Sequence, residues 1–435
     1  MDQTQLQAFV KNAVANMENA NPSGSPYKSI VSTGNSQLSF GAMQLDVGSG
    51  NAIAVWKQDN GSGYDLYASY FDAVSGKWTT TEEPIDLTAY NVGNPQVVLD
   101  SDGHAFLVWN QCSASENSTH YQDILAAIYD VLSATWTVSP ESLDSSDNDL
   151  GAPKMVLDSQ GNILVVWRQS DGSNNSSYQD IFVSRYTASD EVWTTAPDPL
   201  DDDSSVGDPA VAMDSSGNAV IVWTSGGAIV GSRYDAGDGS WTLLESLEVT
   251  EGSDLQVAMD STGYILAMWV SYVDSDDQST PHIFANRYHA DTGRWLTSSE
   301  QLDIGDYDSS LPEIVADSSG NALAVWKQSA DEGGAVSHIY TSRYDAGENS
   351  WTARSSSLDS GAGVSKDPHL GMDSEGNAIA LWDEAGESST TLVALHFLIQ
   401  NDDDGGSGGQ GSSGSGGCSL SRNGQQTDPI SFVMF

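Results

Sequence analysis

The chain has 435 residues, with 61 Asp or Glu against 15 Lys or Arg, a formal net charge of −46. So few positive charges, spread so thinly, cannot build the basic patch that a nucleic-acid backbone or an anionic membrane surface demands, and both partners are excluded. With 38% hydrophobic residues, 13 Trp and 16 Tyr, the chain is also too aromatic for a disordered acidic polymer.

A surface of Asp, Ser, Gly and Asn with almost no lysine stays hydrated where salt screens its self-repulsion. This predicts a secreted or cell-surface protein of a halophilic or marine bacterium; the simpler reading of the same charge is an acidic coat that keeps a monomer soluble. The two cysteines, Cys112 and Cys418, supply no disulfide framework.

In chain order, Leu6, Phe9, Val10, Ala13, Val14 and Met17 recur at helical spacing, which predicts a short amphipathic helix over residues 1–20. These residues lack the charged-then-apolar pattern of a signal peptide, and no stretch approaches the roughly 18 apolar residues of a membrane span. Residues 27–400 are then dominated by one repeated unit. An apolar strand carrying Trp recurs at Trp56, Trp109, Trp167, Trp223, Trp269, Trp326 and Trp382. Nine residues before each of the last six stands Asp100, Asp158, Asp214, Asp260, Asp317 or Asp373, with Asp46 ten before the first.

Each unit parses into four short strands: Pro-x-Val-x-x-Asp, the Trp strand after an Asp-Ser-x-Gly turn, a third strand such as IFVSRYTA, and a fourth opening with a second Trp. Four-stranded antiparallel units repeated at this length predict an all-β fold, a seven-bladed β-propeller. The seventh unit lacks its fourth strand, and the spare segment YKSIVSTGNSQLSF before the first unit has the spacing to supply it, closing the ring. The turn Asp and the repeated Trp residues read as structural. So do Arg185, Arg233, Arg287 and Arg343, which share one repeat position before a Tyr and suit repeated ion pairs or stacks.

The third-to-fourth-strand turns YDAGDGSW (234–241) and YDAGENSW (344–351) resemble the Tyr-Asp…Trp part of kelch repeats, and ADTGRW (290–295) resembles a shortened sialidase-type Asp-box. The kelch Gly-Gly doublet is absent, and the Asp-box has lost a residue between Gly and Trp. The resemblance therefore implies a propeller in a secreted bacterial setting and no particular activity.

In this topology the loops from strand two to strand three, and from unit to unit, share one face, and they vary where the other face is monotonous. Candidate ligand-binding residues on that face are Asn94, Gln96, Lys154, Asp208, Asp254, Gln256, Glu313, Asp367 and His369 around the starts of the first strands. Lys57, Arg168 and Lys327 follow the Trp, with Gln58, Gln111, Gln169 and Gln328 beside them and Tyr64, Tyr121 and Tyr178 nearby. Carboxylates, amides and a few cations suit a hydroxyl-rich glycan, and equally Ca²⁺, which favours several oxygen ligands. The bland alternative is a hydrated tunnel mouth.

No arginine cluster, Ser-His-Asp elbow, phosphate loop or HExxH motif is present, and the seven histidines are scattered. A carboxylate pair for glycoside chemistry is compatible with so acidic a chain. After Gln400 a Gly/Ser linker (401–417) leads to CSLSRNGQQTDPISFVMF (418–435), which resembles a bacterial C-terminal sorting signal lacking its apolar helix and basic tail. That resemblance implies a surface-attached parent protein, with Cys418 as the position of processing or lipid attachment. The sequence thus predicts an extracellular binding module for a glycan or surface protein. The rivals are a polysaccharide hydrolase or lyase using carboxylates on the variable face, and a structural display module.

Overall fold

The computed structural model describes residues between 38 and 398, less several stretches that include 46–50, 73–76, 113–120, 171–178, 202–205, 353–356, 373–376 and 386–389, together with 432–434. The regular elements among the described residues are β-strands, paired antiparallel in chain order within each unit; three units are four-stranded sheets, two carry a fifth short strand, and the last two are joined into one sheet by a parallel bridge between Ser337 and Val364. In the second unit, Gln96–Leu99, Ala105–Gln111, Asp123–Asp130 and Thr135–Val138 lie side by side in chain order. Hairpin connections make this order the natural one, because each strand finds its predecessor first. The seven Trp-bearing segments, from Ala52–Asp59 to Asn377–Ala385, are all second strands of such units. This is the blade architecture of a β-propeller.

A sheet with one wet face alternates apolar and polar residues, whereas these second strands are continuously apolar up to the Trp, so both faces must be covered. Every residue of Ala105–Gln111 is buried. Leu107 and Trp109 pack with Ile53, Val55 and Leu66 of the preceding unit. Phe106 and Val108, pointing the other way, pack with Ile163, Val165 and Trp167 of the following one. Trp167, Trp223, Trp269, Trp326 and Trp382 likewise pack against the unit before their own. Consecutive first strands touch from Leu38–Leu45 through Gln96–Leu99 and onward to Val364–Met372, forming the inner edges of the blades.

The Asp-Ser-x-Gly turn is tied by its own side chains. Asp158 Oδ1 accepts the N–H groups of Gln160 (2.8 Å) and Asn162 (2.9 Å), and the Asn162 amide donates to Oδ2 (2.7 Å). Asn162 Oδ1 in turn accepts the Ala188 N–H from the adjacent third-to-fourth-strand turn (3.1 Å). Asp214 with Asn218 and Asp317 with Asn321 repeat the arrangement. Gly161 sits at φ 83°, a conformation only glycine takes without cost. Asp46 and Asp373 lie outside the described residues. The repeated arginines link units: the Arg185 guanidinium donates to Tyr234 Oη (2.9 Å) and stacks on its ring, and Arg287 does the same to Tyr344 (2.6 Å).

Beside Thr390–Leu398, the third strand of the seventh unit, lies Phe432–Met434 from the C-terminal segment, while residues 27–37, most of the N-terminal segment expected there, lie outside the described residues. Leu38, Ser39 and Phe40, the end of the spare N-terminal segment, pair with Gln58, Lys57 and Trp56 as part of the first unit's inner strand. The predicted helix over 1–20, residues 27–37, the linker 401–417 and Cys418 lie outside the described residues. Among the described residues no helix is long and apolar enough to cross a membrane.

Candidate ligand-binding rim

The first strand of each unit begins where the second ends, so the predicted site residues fall along one rim. Backbone hydrogen bonds join the two positions: the N–H groups of Gly93, Gly151 and Gly207 donate to the carbonyls of Asn110 (2.7 Å), Arg168 (2.8 Å) and Thr224 (2.8 Å). A Cβ at Gly93 or Gly207 would run into the Asn110 or Thr224 side chain, which is why glycine stands there. In units five, six and seven the ladder instead bulges at this point, between Ser253 and Gln256, Ser310 and Glu313, and Lys366 and His369. Asp254 and Leu311 take left-handed backbone angles in those bulges, φ 47° and 53°. Bulges re-aim side chains at the rim of a sheet.

Two pairs of predicted residues meet across unit boundaries. Arg168 Nη2 lies 3.1 Å from Asp208 Oδ1, and Nη1 donates to the Val206 carbonyl (3.4 Å). His369 Nδ1 lies 3.7 Å from Glu313 Oε1. The Asp208 and His369 side chains are 68% and 71% exposed, so either pair contributes at most about 1 kcal/mol to stability. Lys57 stands 5.6 Å from the centre of the Tyr64 ring, and burial lowers the pKa of its amine.

The remaining predicted residues stand along the rim with other contacts. The exposed Asn94 gives its N–H to Asn110 Oδ1 (2.8 Å), and the half-buried Gln96 amide donates to the Pro95 carbonyl (3.0 Å). Lys154, Gln256 and Lys327 are half-buried and Asp254 is exposed. Asp367 lies in Val364–Met372, its side chain outside the described residues.

The glutamines prove different in kind. Gln111 and Gln169 are buried, and their Oε1 atoms accept the indole N–H of Trp109 (3.0 Å) and Trp167 (3.1 Å). Gln328 is buried too and donates to the Ile304 carbonyl (2.6 Å). A side chain two residues after Trp points to the same face of the strand as the indole, which puts it in the blade interface.

Sequence reasoning missed a second repeated carboxylate. The pairs Ile85-Asp86, Leu143-Asp144, Leu200-Asp201, Leu302-Asp303 and Leu358-Asp359 pin the inter-unit loop to the start of the third strand. The apolar N–H donates to the strand, as Leu143 to the Ile124 carbonyl (2.7 Å), and in the first four pairs the Asp takes the reciprocal N–H, as Asp144 from Ile124 (2.8 Å), whereas Asp359 Oδ1 has no hydrogen-bond partner. Its signal is the Leu/Ile-Asp dipeptide fourteen residues before the turn Asp in four units, as Asp86 before Asp100.

Among the described residues no group of three or more His, Cys, Asp or Glu is gathered as a metal site.

No protein-family model matches the sequence, and no curated protein does. Solved structures do. The polysaccharide lyase Uly1 superposes with a TM-score of 0.51 at 11% identity, over 88% of this chain and 94% of that one. A PL25 ulvan lyase bound to -[GlcA(1-4)Rha3S]- covers 82% of this chain and 79% of its own at 12% identity, with a TM-score of 0.45. The α-L-arabinanase of Penicillium chrysogenum, complexed with arabinobiose, covers 70% and 93% at 13% identity, with a TM-score of 0.42. These are enzymes that act on carbohydrate, and the likeness to the first is one of fold.

Proposed function

We propose that the protein acts on a polysaccharide laid across the rim, as a lyase or hydrolase. The observation that carries this reading is that the rim alone breaks the repeat, and there puts Glu313 beside His369 and Arg168 beside Asp208 across unit boundaries. The fold shared with a polysaccharide lyase over nearly the whole of both chains supports it. Glu313 and His369 are the acid–base candidates: one group takes a ring proton or activates water while the other protonates the departing glycosidic oxygen. Arg168, Lys57 and Lys327 are placed to hold carboxylate and hydroxyl groups of the chain, with Lys154, Asp208, Asp254, Asn94, Gln96, Gln256 and Asp367 lining it.

The test is turnover of neutral and uronic-acid polysaccharides, followed by ultraviolet absorbance of unsaturated ends for elimination and by new reducing ends for hydrolysis. Glu313→Gln is expected to abolish turnover while leaving the thermal midpoint in place. Retention of full turnover in Glu313→Gln and His369→Asn would sink this assignment. Because the chain carries −46, an acidic polysaccharide is expected to be turned over faster as salt rises from low ionic strength, with neutral ones indifferent.

A second reading, binding of a glycan or surface protein without turnover, is favoured by how open Asp208 and His369 are, since solvent-exposed charge pairs suit recognition better than chemistry. Glycan-array binding lost on neutralising Lys154 and Asp208 together, with no turnover of any substrate, would select it. Either reading belongs to a monomer working outside the cell in a salty medium.

A further inference from the structure

The second repeated carboxylate is satisfied differently around the ring. In the fifth unit Asp303 has a full set of donors: the Ile283 N–H on Oδ1 (3.0 Å), and His282 Nδ1 (2.7 Å) and the Ser309 hydroxyl (2.7 Å) on Oδ2. In the sixth, Asp359 Oδ2 receives His338 Nδ1 (3.1 Å) and the Ser365 hydroxyl (2.5 Å). The histidine precedes the third strand's first Ile in both units, and the serine follows that Ile by twenty-six residues.

The first unit has lost both donors. Asp65 precedes Leu66 where the histidine would be, and Val92 stands where the serine would be. Asp86 keeps the Leu66 N–H on Oδ1 (2.7 Å), but Oδ2 has no hydrogen-bond partner and the residue is only 4% exposed. Burial pushes its carboxyl up to about 7 against the pull of the Leu66 N–H, and the charge of Asp65 adds to the rise. Burial, and then the charges of Asp65, Asp86 and Glu83, raise the pKa of the neighbouring Tyr67 phenol. An ionised carboxylate left unpaired in such a place costs several kcal/mol, on the order of what a buried charge demands.

We propose that Asp65 and Asp86 hold a hard divalent cation, Ca²⁺ in type, filling in the first unit the place that an imidazole and a hydroxyl fill in units five and six. Ca²⁺ takes about six to eight oxygen ligands and accepts carbonyls and water among them, so two carboxylates with a half-buried, solvent-reached Asp65 suffice for a site of modest affinity. Mg²⁺, which gives up water reluctantly and demands a tighter octahedron, is bound less well. The second and third units carry Asp123 with Asp144 and Asp180 with Asp201 at the same two repeat positions. The cation ties the inter-unit loop to the third strand on the rim face, independently of what the rim binds.

The experiment uses the full chain stripped with a chelator, at about pH 8 so that the carboxyls are ionised. Titration calorimetry with CaCl₂ gives the number of bound ions, and thermal unfolding gives their effect on Tm. The expected result is saturable binding, a Tm that rises with Ca²⁺ more than with Mg²⁺, and one fewer bound ion in Asp86→Asn. The partly exposed Asp65→Asn, which leaves the buried clamp intact, is expected to lose the same ion and serves if Asp86→Asn does not fold. Asp254→Asn, an acid on the rim, keeps the wild-type number. No saturable binding, or an unchanged stoichiometry in both variants, overturns the proposal. So does a Tm indifferent to Ca²⁺ that rises on acidification, which assigns the place to a proton.

Discussion

The two faces of the propeller solve opposite problems with the same residue types. On the turn face, carboxylates are consumed by the backbone: Asp158, Asp214 and Asp317 each accept two N–H groups and an asparagine amide, and the arrangement barely changes from unit to unit. On the rim, the exposed Asp208 and the half-buried Glu313 meet side chains of other units. A repeated acid whose oxygens are both bonded within its own turn is part of the scaffold, and an unrepeated acid facing an unrepeated base is available to a ligand. Charge alone does not separate the two. Satisfaction by the local backbone does.

The largest expected effect sharpens the scaffold side of that contrast. Trp223→Ala removes an indole packed against Leu164, Val166 and Ile181 of the unit before, and is expected to cost about 3–5 kcal/mol in denaturant unfolding. Trp56 is equally buried, at 1% exposure, although no Trp-bearing unit precedes it in the chain. If the seven units close into a ring, Trp56 faces the seventh, and Trp56→Ala is then expected to cost as much. A cost below about 1 kcal/mol, the range of an ordinary surface change, would break the ring reading.

Next in size is the carboxyl that fits neither class. Asp86 has a folded-state pKa of about 7 against 3.8 for the free side chain, so the native protein keeps a proton that the unfolded chain has given up. Stability from this group is therefore full below about pH 4, falls as pH rises through the interval, and levels above about pH 7. The loss has a ceiling of about 4 kcal/mol, because a tenfold change in proton affinity between the folded and unfolded chains corresponds to about 1.4 kcal/mol. In chelator, urea midpoints measured between those limits should fall with pH in the wild type and flatten in Asp86→Asn. A wild-type profile as flat as the variant's would show that Asp86 is already satisfied. On the turn face, Asp214→Ala strands the Ser216 and Asn218 N–H groups and is expected to cost about 1–3 kcal/mol at every pH above the carboxylate range.

Much of this scaffold is legible in the sequence, because repetition reports geometry: the Trp spacing marks the blades, Asp-Ser-x-Gly marks a turn that only glycine completes, and Arg before Tyr marks a stack. The rim is less legible for three physical reasons. Gln111 and Gln169 look like surface amides next to a variable loop, yet strand alternation turns them inward to the indole. Asp86 and its counterparts recur in five units against seven for the turn Asp, they are hidden among 61 acids, and only their near-constant distance from the turn gives them away. The meeting of Arg168 with Asp208, forty residues on, depends on how neighbouring blades are set, which no local pattern encodes.

The smallest expected effect on stability tests the other half of the contrast. Arg168→Gln removes one exposed ion pair and a long contact to the Val206 carbonyl, and such pairs contribute about 0.2–1 kcal/mol. The thermal midpoint should therefore hardly move, while affinity for an anionic polysaccharide, read by titration at high salt, should drop. Arg185→Gln is the matched control: it removes a guanidinium stacked on Tyr234 between blades, and should lower the midpoint while leaving affinity alone. If both arginines moved stability and neither moved binding, the rim would be scaffold as well, and the division between an occupied face and an available one would fail at the residues chosen to define it.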